Sequence, residues 1–226
     1  MKKLTRDHKG FTLLEIIVVL AVIGALAAML APVVFRYIDD AKRAQAQADV
    51  QKLAEAINQM YKDTGRWPFF KDATGKAVYT SGTDAALLSS NVACTGGAAT
   101  CDTTVPTDTT TGGLWKLTGG SASLTDNLSD QLIFNTPFGS DLKQYALTGG
   151  KAWKGPYLAR NPGLDPWARS YLVNVVNADP AKEGFTTQAW VIAISAGSNG
   201  TLETDPTQLL STDPVVSGDD IVARVK

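Results

Sequence analysis

Histidine is almost missing from this chain: 226 residues hold a single one, His8, and only two cysteines accompany it. Beyond residue 10 there is no histidine at all. Ser-His-Asp and Cys-His catalysis and histidine-ligated zinc are thereby excluded from nearly the whole chain. Charge of either sign is missing from residues 16–35, twenty positions in a row. At about 1.5 Å of rise per helical residue, such a run crosses the roughly 30 Å hydrocarbon core of a bilayer. A strong net charge is lacking too, since 21 Lys and Arg face 22 Asp and Glu. That balance carries no basic footprint for nucleic acid, and no nucleic-acid partner is expected. Carboxylate pairs still allow glycosidase chemistry, but the acids fall mostly in loop-prone segments without a spacing that favours catalysis, so no enzyme is expected.

What is present begins with a basic opening. Lys2, Lys3, Arg6 and Lys9 stand against one acid, Asp7, before the apolar residues start. Positive flanks stay in the cytoplasm, which predicts N-in, C-out insertion. A secretory signal has a shorter apolar core and a small-residue cleavage site beyond it. Ala25-Leu26-Ala27 offers such a site, yet the apolar run continues past it and Glu15 interrupts the core. A plain uncleaved anchor leaves Glu15 unexplained. An acid within a membrane helix is costly and by default functional.

Lys9-Gly10-Phe11-Thr12-Leu13-Leu14-Glu15-Ile16 resembles the class III signal of type IV prepilins and type II secretion pseudopilins. The resemblance implies a prepilin peptidase that cuts between Gly10 and Phe11 and methylates the new N-terminus. Residues 1–10 are then a leader, whose removal leaves 17 basic against 21 acidic residues. Glu15 has a physical reason to be there: the ammonium freed on Phe11 of one subunit needs a partner in a low-dielectric filament core. Glu15 of a neighbour supplies it and relieves its own burial cost. Its place in the first helical turns also suits the positive end of the macrodipole.

The apolar pattern does not stop at the membrane. Pro32 is expected to bend or loosen one turn, after which Val50, Leu53, Ala54, Ile57, Met60 and Tyr61 form one stripe at helical spacing. Lys52, Glu55, Asn58, Gln59 and Lys62 line the other face. The spacing predicts one helix over about residues 12–62, roughly 75 Å long. Residues 11–35 form its membrane and filament-core half, and residues 36–62 an amphipathic continuation lying on a sheet. Gly65 and Pro68 provide the stop. Tyr61, Gly65 and Trp67-Pro68 also resemble the pseudopilin pattern at this helix end.

Residues 63–226 are expected to be a periplasmic or extracellular head. Within it, residues 71–150 read as a variable Thr/Gly/Ser-rich insert with short apolar pieces at 85–88, 114–117 and 132–134. Cys94 and Cys101 lie in that insert with six residues between them, and on the oxidising side of a membrane they are expected to form a disulfide. Residues 171–176 and 190–195 are β-prone and predict an antiparallel pair against the helix. The fold class expected is α+β: a long helix packed on a small antiparallel sheet, with a loop-rich insertion.

Trp153-Lys154-Gly155-Pro156-Tyr157-Leu158 and Asp165-Pro166-Trp167-Ala168-Arg169-Ser170-Tyr171-Leu172 resemble the G-type major pseudopilin of type II secretion systems. Ala168 stands where that pattern commonly has glycine and Ser170 where it has proline. Ser195-Ala196-Gly197-Ser198-Asn199-Gly200 is similar to the turn that precedes a calcium-holding loop in those proteins. The resemblance implies calcium as a cofactor, with Asn199, Asp219 and Asp220 as side-chain ligands and Ser195 beside them. The interval from Asn199 to Asp219 exceeds the family's usual loop, and the spacing does not fit an EF-hand.

The resemblance as a whole implies a structural subunit of a helical pseudopilus in the bacterial inner membrane. It forms a homopolymer and works with a prepilin peptidase, minor pseudopilins, an assembly ATPase with its membrane platform, and a secretin. Two other readings stay open. One is a type IV pilin for adhesion, motility or DNA uptake, although many of those carry a disulfide-bounded loop near the C-terminus. The other is a membrane-tethered extracellular binding module.

Overall fold

The structure is a computed structural model that describes residues 10–68, 87–90, 106–110, 115, 126–137, 144–175, 191–206, 208 and 215–225. Cys94, Cys101 and residues 1–9 of the expected leader lie outside the described residues. The chain divides into two units after Ala41.

Helix α1 runs over Leu13–Thr64 and contains Pro32. It begins where Thr12 accepts the Glu15 N–H on its hydroxyl oxygen at 3.3 Å, which is half of a capping box. The helix is not broken at Pro32, although the missing N–H there leaves one carbonyl without its intrahelical donor. In the first unit every described side chain is exposed. Among the described residues α1 is the one helix long and apolar enough to cross a membrane.

In the second unit the stripe of α1 becomes core. Ala46, Val50, Leu53, Ala54, Ala56, Ile57 and Met60 are buried. Tyr61, which helical spacing groups with them, is 40 % exposed. Its ring stacks on Trp67 with centroids 4.2 Å apart. Thr64 ends the helix by donating its hydroxyl to the Met60 carbonyl at 2.8 Å and accepting the Arg66 N–H at 3.1 Å. Gly65 then takes the left-handed conformation, as expected for a C-cap glycine.

The sheet is larger than a pair. Strands β1 (Leu87–Ser89), β3 (Asp126–Asn127), β4 (Leu172–Asn174), β5 (Ile192–Ser195) and β7 (Ile221–Arg224) lie in the order β3-β1-β4-β5-β7. β1 with β4, β4 with β5, and β5 with β7 are antiparallel, whereas β1 and β3 are parallel. The expected pair is β4 and β5, in register through Val173 and Ala193. A second sheet pairs β2 (Thr107–Asp108) with β6 (Thr201–Leu202) in parallel. Short helix α2, Leu128–Leu132, follows β3 and is capped by the Asn127 side chain.

Period-two alternation sends successive residues to opposite faces of the main sheet. Tyr171, Val173, Val175, Val191, Ala193, Ile221, Ala223 and Val225 join the core that holds the α1 stripe. Leu172, Ile192, Ile194 and Ala196 instead form a second core with Leu202 and Trp115. Trp115 is fully buried and comes from the insert. Asp49 on α1 accepts the Tyr171 hydroxyl at 3.2 Å while pairing with Lys52 at 3.0 Å. Burial, with the Asp49 charge adding to it, pushes the Tyr171 hydroxyl well above its usual range.

The turn that leads into β4 is held by Asp165, a buried acid whose Oδ1 accepts the Trp167 and Arg169 N–H groups at 3.0 and 2.8 Å. Ala168 within it has φ of 63°. A side chain there costs about 1–2 kcal/mol, which is the physical content of the departure from glycine at this position. Replacing Ala168→Gly is therefore expected to raise stability by up to about 1 kcal/mol, since glycine's extra unfolded-state entropy offsets part of the relief. Trp115→Ala, which empties the second core, is expected to cost roughly 3–5 kcal/mol. Denaturant unfolding of the full chain in detergent measures both; a loss of stability in the first or near-neutrality in the second contradicts these assignments.

Candidate functional site

Two groups of sequence-predicted residues are described, one at the start of α1 and one beyond β5. At the first, Gly10, Phe11 and Thr12 precede the helix without regular structure. A Cβ built on Gly10 meets nothing within 4 Å, so folding makes no demand for glycine there. Phe11 is 79 % exposed. Glu15 lies in the first turn of α1. Its backbone N–H bonds to Thr12, while no ion pair to its carboxylate forms among the described residues. The fold thus leaves the residues that carry the processing and assembly readings open to other molecules.

The second group is drawn together by two carboxylates. Asp219 Oδ2 accepts the Ser198 N–H at 2.7 Å, the Ser198 hydroxyl at 2.5 Å and the Asn199 N–H at 3.0 Å. Asp220 Oδ2 accepts the Glu203 and Thr204 N–H groups at 2.9 and 2.7 Å. Asn199 folds its side chain inward, accepting the Thr201 N–H at 2.7 Å and donating to Glu203 Oε2 at 3.1 Å. Gly197, set against the Asp219 backbone, permits this closeness, and Gly218 leaves room for the Glu203 side chain. A Cβ on Gly197 would sit 2.2 Å from the Asp219 carbonyl oxygen, and one on Gly218 1.4 Å from Glu203 Oε2.

Each of the two aspartates has one oxygen left over. Asp219 Oδ1 and Asp220 Oδ1 are buried and have no hydrogen-bond partner among the described residues. Burial raises the Asp219 carboxyl, but the hydrogen bonds from Ser198 and Asn199 outweigh it and hold the group below its ordinary value. At Asp220 burial wins over the bonds from Thr204 and Glu203, the Glu203 charge adds to it, and the carboxyl is raised. Neighbouring carboxyls are thus pushed apart. Orphaned carboxylate oxygens are the donor type a hard cation takes. Among the described residues, no three His, Cys, Asp or Glu side chains converge as a ready cage.

Asn199, Asp219 and Asp220 are therefore brought together, with Glu203 as a fourth member that spacing alone did not single out. Ser195 faces elsewhere: its hydroxyl donates to Asp165 Oδ2 at 2.6 Å. The insert also reaches this loop, which its Thr/Gly-rich composition did not announce. Thr107 and Thr109 N–H groups donate to the Gly200 and Leu202 carbonyls at 3.0 and 3.1 Å. Asp108 accepts the Trp115 N–H at 2.9 Å, and the Trp115 indole donates to the Thr204 carbonyl at 2.8 Å. The signal for this in the sequence was the short apolar piece at 114–117, which contains Trp115.

Comparison with known proteins bears on the first group. The family model for the prokaryotic N-terminal methylation motif matches residues 5–31, which contain Gly10, Phe11 and Glu15. The fimbrial protein EcpC of Eikenella corrodens is 34 % identical over 79 residues, 35 % of this chain and 52 % of that protein. The type II secretion system core protein G of Pseudomonas aeruginosa is 38 % identical over 63 residues, 28 % of this chain and 44 % of that one. The toxin coregulated pilin of Vibrio cholerae is 34 % identical over 75 residues, 33 % of this chain and 34 % of that one. The chain spans about half or less of the length of the curated relatives it matches, and no solved structure matches it. With the methylation motif at its start, a long apolar helix and an α+β head, the chain is similar to core protein G of type II secretion systems as well as to the type IV pilins.

Proposed function

We propose that this chain is the structural subunit of a type II secretion pseudopilus. It is cleaved between Gly10 and Phe11, methylated on Phe11 and polymerised through α1. One observation carries the reading: an exposed apolar helix bears in its first turn a single carboxylate without an ion-pair partner among the described residues. Buried among other copies, Glu15 needs a cation, and the Phe11 ammonium of a neighbour is the one that cleavage creates. Head-to-tail contacts that do not close give an open helical fibre. Before assembly the subunit sits in the inner membrane with its N-terminus cytoplasmic and its head outside, as the basic leader and the apolar run together favour. A prepilin peptidase, minor pseudopilins, an assembly ATPase with its platform and a secretin are the partners this role requires. A disulfide between Cys94 and Cys101 is proposed as part of the same outward-facing head.

A second reading is a type IV pilus, favoured by the likeness to a fimbrial protein and to a pilin. Against it stands the run from Trp153 to Leu172, which resembles the G-type pseudopilin. A membrane-tethered binding module shares the anchor but has no use for Glu15. Glu15→Ala separates the classes: membrane insertion is retained while filament yield falls at least about tenfold, the order of effect of losing a single buried charge pair. Electron microscopy of surface or sheared filaments reads it, and unaffected filaments would sink the assembly role.

Calcium is part of the proposal. Asp219 and Asp220 would hold it through their orphaned oxygens, with Asn199 and Glu203 beside them. Ser195 leaves the ligand set because its hydroxyl serves Asp165. The ion would supply two positive charges that tie residues 197–205 to residues 217–220. The pH dependence follows from the opposed carboxyls. Asp219, lowered from 3.8, contributes stability that is present above that value and is lost as pH falls through its folded value. Asp220, raised from 3.8, costs stability without metal as pH climbs through its folded value. Calcium needs both ionised, so the rise in thermal midpoint on adding it should be largest at neutral pH and vanish by about pH 4. Asp220→Asn should remove that increment and, in chelator at pH 7, unfold no earlier than the parent. A midpoint indifferent to calcium at every pH would remove the metal.

A further inference from the structure

The end of α1 gathers positive charge that the filament reading does not use. Lys62 is in the last turn and Arg66 just past it, both exposed. The segment around residues 150–157 folds onto the same place. Lys151 lies over Gly65, its Cδ 3.3 Å from where a Cβ on that glycine would be. Lys154 reaches Asp63 at 3.4 Å. Both lysines are exposed. Among the described residues Asp63 is the acid that pairs with one of these four cations, on a chain whose net charge is −1. Among the described residues Lys62, Arg66 and Lys151 have no acid within ion-pair distance. Beside them stands the Tyr61–Trp67 stack, whose Tyr61 is 40 % exposed.

Cations near a helix C-terminus interact favourably with its dipole, which gives Lys62 a structural reason. It gives none for bringing Lys151 over Gly65, nor for the exposure of Tyr61, whose stacking partner Trp67 packs on the core. Unpaired ammonium and guanidinium groups around an exposed ring are the chemistry that recognises a sugar bearing a carboxylate. The cations meet the carboxylate and the ring covers the apolar face of the sugar. Duplex DNA fits less well. It carries one charge per roughly 1.7 Å, and its binders neutralise on the order of six to ten phosphates. Four cations on a slightly acidic chain fall short of that.

We propose that Lys62, Arg66, Lys151 and Lys154, with the Tyr61–Trp67 stack, form a binding surface for an acidic, uronate-type polysaccharide. The proposal goes beyond the filament reading and does not depend on it, because a single subunit carries the whole surface. In a filament the surface would repeat at every subunit, and many weak contacts on one polymer would add as avidity.

The test uses the full chain in detergent with polygalacturonate as probe, neutral dextran as the uncharged control and duplex DNA at matched charge as the competing polyanion. Polygalacturonate should bind at low salt and weaken as salt rises. Lys151→Gln with Lys154→Gln should weaken it about tenfold, and the change of all four cations to Gln should abolish it. Lys151→Arg with Lys154→Arg should retain it. Glu55→Gln, elsewhere on α1, should leave it unchanged. Thermal midpoints check that each variant is folded. Should the four-site variant not fold, the wild-type chain still decides the matter. Saturating polygalacturonate should change its tryptophan fluorescence, and Trp67→Phe should remove that change. Equal binding of dextran, tighter binding of DNA, a folded four-site variant that binds as the parent does, or silent Trp67 fluorescence would each overturn the proposal.

Discussion

Burial of one helical stripe against one face of a sheet is the constraint from which the described head follows. Val50, Leu53, Ile57 and Met60 are wholly removed from solvent only because Tyr171, Val173, Val191 and Ala193 stand opposite them at the period of a strand. Each such side chain contributes about 1.5–3 kcal/mol on transfer from water, so the stripe is far more than a local helix could gain from propensity. The same alternation commits Leu172, Ile192 and Ile194 to the other face, which would be an apolar surface in water without Trp115. Residues 107–109 and Trp115 of the insert therefore cover that face, and their hydrogen bonds to Gly200, Leu202 and Thr204 are how the cover is fastened.

Fastening the cover also shapes the acid-rich loop. Backbone groups of residues 200–204 are bonded on one side by the insert and on the other by Asp220, so the loop has few ways to relax around its carboxylates. Two of their oxygens end up buried and unpartnered as a result. A raised Asp220 beside a lowered Asp219 is the electrostatic expression of that confinement. The same loop that looks like a flexible acidic surface in sequence is, in space, a small set of donors fixed around two carboxyl groups.

How far the sequence reveals this depends on the length over which each signal is written. Helix α1 is written over fifty residues, so its course, its left-handed Gly65 and its buried stripe are all legible. Tyr61 is the exception, because at the helix end an aromatic neighbour, Trp67, offers more than the core does. β4 and β5 are legible as β-prone runs flanked by turn residues. β7, four residues long, and β2, of two, are too short for alternation to stand out, and what makes them strands is a partner far away in the chain. The acid loop shows the same division. Asn199, Asp219 and Asp220 can be picked out as oxygen donors, but Glu203 joins them through Gly218, and Ser195 is claimed by Asp165, both long-range facts.

Pairing of β2 with β6 joins Thr107 to Thr201, and pairing of β1 with β4 joins Leu88 to Val173. Such distant partners make a slow topology, because loop closure must be met before any contact rewards it. Helix α1, by contrast, is complete as soon as its own residues exist. During synthesis there is thus an interval in which Val50, Leu53, Ile57 and Met60 can be helical but have nothing to lie on. In that interval the stripe that will become the core is an aggregation hazard. A membrane that retains the preceding apolar half keeps such chains apart from one another in the meantime. Held in a membrane, the helix would serve the fold first, as a tether that grants the head time to find its distant strands.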